Sequence, residues 1–120
     1  MRIFIICSVR DIDAPYFDTV NAYARKLEAR GHRVHLPPRD TNQNKPGITI
    51  CRQNLENIRR ADEVHIFYNG RSQGTHFDMG MAFALGKPIV VVKNEAYVEG
   101  KSFPRMLDEW MEANGGTHNM

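Results

Sequence analysis

Four short apolar runs, each followed by a stretch with helical spacing, restrict this chain to one class of architecture. Residues 3–7 (Ile-Phe-Ile-Ile-Cys) and 89–92 (Ile-Val-Val-Val) are continuous hydrophobic runs without alternation. That is the pattern of strands covered on both faces. Residues 33–36 and 63–67 read as two further strands. Between the first two runs, Tyr16, Val20, Tyr23 and Leu27 recur at spacings of four, three and four. Asp13 is placed to cap that helix, Pro15 fits its first turn and Gly31 suits its stop. Cys51, Leu55 and Ile58 line one side of a second helix whose wet side carries Arg52, Glu56, Arg59 and Arg60. A third helix is expected over 74–85 with a stop at Gly86. Ser102 caps a last one that buries Met106 or Leu107 and Trp110. Pro37 and Pro38 end the second strand, and residues 39–47 read as a polar loop. The order βαβαβαβα implies a parallel sheet with right-handed crossovers and helices on both faces.

Composition narrows the function classes. The chain has 120 residues, 42% hydrophobic and 25% charged, with 16 basic and 14 acidic side chains scattered along it. A net charge of +2 leaves no overall electrostatic footprint for a nucleic-acid polymer or an anionic membrane. No segment approaches the ~20 apolar residues of a membrane span, and the run at 3–7 is too short for a signal peptide. A cytoplasmic protein is expected, with one domain over residues 1–113 and a flexible tail over 114–120. Cys7 and Cys51 read as small apolar core residues of a reducing compartment. The five histidines show no ligand spacing, so no metal is expected. His65, inside a strand, reads as a hydrogen-bonded core imidazole, and His76 as a residue within reach of a pocket mouth. Gly-x-Gly-x-x-Gly, Walker and Gly-x-Ser-x-Gly patterns are absent from the sequence, and no cofactor is implied.

In open parallel sheets ligands bind beyond the carboxyl ends of the strands. That rule selects the loops 8–13, 37–47, 68–74 and 93–100. With Thr75 as N-cap, Asp78 falls in the first turn of the third helix, where free N–H groups and the dipole keep a carboxylate ionised. Capping and function are compatible for such an acid. Ser8 and Arg10 offer a hydroxyl and a forked set of donors to a phosphate or carboxylate. Asn69, Arg71, Ser72 and Gln73 suit sugar hydroxyls, although turns favour the same residue types. Tyr68 either stacks on a base or covers the sheet edge.

These residues carry a resemblance. The segment Ala61-Asp62-Glu63-Val64, followed by Ser72-Gln73-Gly74-Thr75-His76-Phe77-Asp78-Met79-Gly80-Met81-Ala82-Phe83-Ala84-Leu85-Gly86-Lys87-Pro88, resembles the nucleoside 2-deoxyribosyltransferase family. The start of the chain is similar to the related deoxynucleoside-monophosphate N-glycosidases, in which a Ser-x-Arg element meets the 5′-phosphate. The resemblance implies a flavodoxin-like (Rossmann-like) three-layer α/β/α fold with four to five parallel strands. It implies a nucleoside or nucleoside monophosphate as substrate, and a homodimer or higher homo-oligomer. Asp78 takes the place of a glutamate nucleophile that attacks the anomeric carbon. Ser8 and Arg10 hold a phosphate or 5′ group. On this resemblance Asn69, Ser72, Gly74 and Thr75 form the sugar wall and Asn54 contacts the base. Two departures stand out. Asp78 is one methylene shorter than glutamate, and Asn54 replaces an acid, so it cannot protonate a leaving base. The leading expectation is an N-glycosidic bond enzyme, hydrolase or transferase. The alternatives are a catalytically silent nucleotide-binding or sensing protein with the same pocket, and a structural oligomer with a vestigial cleft.

Overall fold

The computed structural model describes residues 1–96 and 102–114. Its elements are β1 (Arg2–Ile6), α1 (Ala14–Ala29), β2 (Arg33–His35), α2 (Pro37–Asp40), α3 (Gly47–Arg60), β3 (Glu63–Tyr68), α4 (Gln73–Ala84), β4 (Ile89–Asn94) and α5 (Phe103–Ala113). The strands form one parallel sheet in the order β2-β1-β3-β4. The expected α/β layering is therefore present, with four strands. Residues 97–100 of the last strand-end loop, and 115–120 of the expected tail, lie outside the described residues.

Alternation along the two central strands sorts the core into two halves. Ile3, Ile5, Cys7 and Phe67 pack under Val20, Ala24 and Leu27 of α1. Phe4, Ile6, Val64, Ile66 and Tyr68 point the other way, against Ile58 of α3, Met79 and Ala82 of α4, and Leu107 and Trp110 of α5. Every residue of β3 is buried, and so are Ile3 to Ile6 of β1. Each fully buried Ile, Leu or Phe contributes about 1.5–3 kcal/mol. Buried His65 is held on both sides, with Nε2 at 2.8 Å from Glu63 Oε1 and Nδ1 at 2.6 Å from the Tyr23 hydroxyl. It is the core imidazole expected.

Local chemistry sets the helix bounds. Asp13 caps α1 by accepting the Tyr16 N–H at 2.8 Å, with Pro15 in the first turn, and Gly31 follows at φ +92°. Residues 37–40 are not loop. They form the single turn α2, because Pro37 and Pro38 carry helical φ without needing N–H partners and Asp40 Oδ2 accepts the Leu36 N–H at 2.8 Å. The inner face of α3 centres on Asn54 and Ile58, with Cys51 and Leu55 half-buried at its flanks. No helix of the described residues is long and apolar enough to cross a membrane.

Two details anchor the sheet's rims. The Val91 N–H of edge strand β4 is donated to the Met111 sulfur of α5 at 3.2 Å. Lys87, in the Gly-Lys-Pro turn before β4, donates from Nζ to the Arg59 and Ala61 carbonyls at 2.7 and 2.8 Å. Those carbonyls close the carboxyl end of α3, so Lys87 acts as a cap supplied from a distant turn. Lys87→Met is therefore expected to lower stability by about 1–3 kcal/mol, the cost of losing charge-assisted bonds. Urea denaturation measures it, and an unchanged midpoint would remove Lys87 from the fold's supports.

Candidate active site

Strand order places the topological switch point between β1 and β3, and two loops meet there. Ser8, just past β1, is buried, and its Oγ accepts from Asn69 Nδ2 at 3.2 Å across the gap. The Ser8 N–H is donated to the Tyr16 hydroxyl at 2.9 Å. Asn69 also folds its own loop by accepting the Arg71 N–H at 2.9 Å. Gly70 between them sits at φ +77°, and a Cβ there would meet Ala96 Cβ at 3.0 Å. Only glycine suits that position on both counts.

Helix α4 begins at Gln73, one residue before the expected start, but its N-cap lies about one turn before Thr75. Ser72, not Thr75, is the N-cap: its Oγ accepts the Thr75 N–H at 3.1 Å. No acid lies in the first turn, and Asp78 stands in the second. The Thr75–Asp78 capping box therefore does not form. The dipole's influence fades beyond the first turn, so burial decides Asp78's ionisation instead. The side chain is buried (8% exposed), and burial pushes its carboxyl up to about 6, against a smaller opposing pull from the Asn54 hydrogen bond. The expectation of a dipole-stabilised, freely ionised acid is thus corrected. At pH 7 about nine in ten such groups are still charged.

Asn54 is buried in α3 and donates from Nδ2 to Asp78 Oδ2 at 3.4 Å, a long bond. Asn54 Oδ1 and Thr75 Oγ1 are buried with no hydrogen-bond partner among the described residues. Thr75 precedes Asp78 by three residues, so both lie on the inward face of α4. A carboxylate, an amide oxygen and a hydroxyl with unused capacity therefore collect at one place, and buried polar atoms rarely remain unpaired. Cys7 joins them electrostatically: burial pushes its thiol up to about 12, and the Asp78 charge adds to this. The thiol stays protonated at neutral pH and offers no nucleophile.

The other candidates divide. Tyr68 is buried in the core, and its hydroxyl lies 2.8 Å from His76 Nε2. His76 Nδ1 lies 2.9 Å from the Ser72 carbonyl, which can only accept. That bond fixes the proton on Nδ1, so Nε2 accepts and Tyr68 donates. Tyr68 is thereby a wall residue tied to the start of α4. Ser72 is spent on its cap, and Gly74 lies exposed in the first turn. Arg10 is exposed, with no ion pair or hydrogen bond to its guanidinium among the described residues. A cleft of about 180 Å³ opens at the same end of the sheet, lined by Tyr16, Thr19, Phe67, Tyr68, Asn69 and Lys93 among others. It lies on the α1 side, and Asp78 is not in its lining. Asn69 joins the two parts, since it walls the cleft and holds Ser8. Tyr16 and Cys7 went unnoticed as site residues because helical and strand spacing explains both as core. Among the described residues no group of three His, Cys, Asp or Glu side chains is placed to hold a metal ion.

The fold is of the doubly wound parallel α/β class, with a buried carboxylate beside an amide just off the switch point. The profile of the nucleoside 2-deoxyribosyltransferase family matches residues 14–111, and the chain belongs to that family. Solved structures agree at the level of fold. A 2-deoxyribosyltransferase from Bacillus psychrosaccharolyticus superposes with a TM-score of 0.72 at 18% identity, over 95% of this chain and 90% of that one. The CMP N-glycosidase BcmB of Clostridium botulinum gives 0.68 at 20%, over 98% and 86%. A conserved protein from Enterococcus faecalis V583 gives 0.62 at 20%, over 89% and 72%. No curated protein matches the chain in sequence.

Burial of Asp78 has a measurable cost. Between 3.8, its ordinary value, and about 6 the folded chain keeps a proton that the unfolded chain has released. Stability therefore falls as pH rises through that window and stays lower above it. Asp78→Asn is expected to be more stable than the parent at pH 7 by about 2–3 kcal/mol, with the gain vanishing below about pH 4. Urea titrations at both pH values check this. A gain independent of pH would show that burial is not its cause.

Proposed function

We propose that this chain cleaves the C1′–N bond of a nucleoside or nucleoside monophosphate, with Asp78 as its working carboxylate. The observation that carries the reading is the buried Asp78–Asn54 pair with unused polar capacity around it, in a chain of this family. An ionised carboxylate out of water opposes the positive charge that develops on an anomeric carbon, and it can attack that carbon directly. Thr75 Oγ1 is the free hydroxyl for the sugar, and the Asn54 amide is the contact for the base. Ser8, held by Asn69, and the unpaired Arg10 take a phosphate or 5′ group. The relatives' names supply the substrate class: one acts on CMP and another transfers 2-deoxyribose. A binding-only protein is the second reading, and Asn54 favours it, since an amide cannot protonate a departing base.

Self-association belongs to the same proposal. Phe77 and Phe83 stand exposed on α4, whose one charged residue is the buried Asp78. A charge-free outer face with two exposed aromatics suits contact with another subunit. Sedimentation of the parent as a dimer or larger, with Phe83→Glu shifted towards monomer, is the expected result. A monomeric parent would end this part.

Activity is tested by incubating the protein with nucleosides and their monophosphates and measuring free base by chromatography. Base release is expected, with Asp78→Ala at least about a hundredfold slower, the scale of losing a principal charge stabiliser. The rate should fall as pH drops through about 6, where Asp78 takes up its proton. Ligand-induced thermal stabilisation without release, kept in Asp78→Asn, would establish the binding-only reading. Neither release nor stabilisation would overturn both.

A further inference from the structure

The opposite end of the sheet carries a second polar site. The β1–β2 register sets Arg2 directly beside Arg33, so two guanidinium side chains leave the same face of neighbouring strands. Like charges directly opposite one another in a sheet are destabilising. A third arginine, Arg60, arrives from the last turn of α3. The three line one cavity of about 220 Å³ together with His35 and Asn57, and no carboxylate is in its lining. Of the nearby acids, Glu56 neutralises Arg60, and Asp62 serves a backbone group and not a guanidinium. Asp62 Oδ2 accepts the backbone N–H of Arg2 at 2.7 Å, and Glu56 pairs with Arg59 and Arg60 at 3.6 and 3.1 Å. The Arg2 and Arg33 guanidinium groups have no partner among the described residues. His35 adds no further positive charge, because burial lowers its pKa and favours the neutral ring, whose Nε2 lies 2.8 Å from the Thr41 hydroxyl.

The geometry points to an oxyanion site at the amino ends of β1 and β2, built to take a phosphate group. Two unpaired guanidinium forks side by side match the oxygens of a tetrahedral dianion and would exchange mutual repulsion for charge-assisted hydrogen bonds. The Asn57 amide supplies a further donor. Strand β1, five residues long, separates this cavity from Ser8 by roughly 15 Å at 3.3 Å per residue. A phosphate bound here is therefore not the 5′-phosphate of a substrate lying at Asp78. The site stands independently of the activity proposed above.

The test uses the full-length protein and amide chemical-shift mapping during titration with inorganic phosphate at constant ionic strength. Shifts are expected around Arg2, Arg33, Val34 and Ala61. The affinity should weaken about tenfold for each of Arg2→Gln and Arg33→Gln, and Arg25→Gln, at an exposed α1 position outside the cavity's lining, should leave it unchanged. A parallel titration with a nucleoside monophosphate distinguishes the source: tighter binding at the same amides identifies a nucleotide, equal binding the free ion. Shifts confined to the loops around Ser8 and Asn69, affinity unchanged in both arginine variants, or an identical response to chloride would each overturn the proposal. The map of the parent decides the matter even where a variant fails to fold.

Discussion

The burial of β1 and β3 under helices on both faces governs where everything else can go. Their side chains face α1 on one side and α3, α4 and α5 on the other. A middle this apolar has room for one polar pair, Glu63 and His65, and that pair is bonded. All other polar chemistry is driven to the ends of the strands. At the carboxyl end the chain gathers a buried acid, an amide and hydroxyls, and at the amino end two arginines stand side by side.

Continuity between β3 and α4 then determines how well the carboxyl end is held. The Tyr68 hydroxyl, the His76 ring and the Ser72 carbonyl form one chain of hydrogen bonds from the strand's last residue to the helix cap. The loop between them is further closed by Asn69 and by Gly70 against Ala96. Asp78 lies one turn beyond this clasp. Its position is inherited from that hydrogen-bonded scaffold, as the role proposed for it requires.

Much of this was legible in the residues. Unbroken apolar runs announced parallel strands, and Asp13, Pro15, Gly31 and Ser102 marked helix ends through their own backbone chemistry. Asp78 was legible from its place near a helix start at the strand-end face and Asn54 only through the resemblance, and the structure brings them together. Register and rotation were less visible. Two hydroxyl residues, Ser72 and Thr75, could each cap α4, and the choice moved Asp78 from the first turn to the second and reversed its expected pKa shift. Two prolines read as a stop, yet they also start a helical turn. The Arg2–Arg33 neighbourhood depends on strand pairing across 31 positions, which no local pattern encodes.

The thioether against Val91 has a consequence for the molecule's solution behaviour. An open ladder edge invites another chain to add a strand. At β4 the invitation is declined by a soft, polarisable sulfur instead of by a lysine or proline. Oxidation of Met111 to the sulfoxide would enlarge and polarise that cover. The integrity of this rim is thus coupled to the redox history of a single methionine.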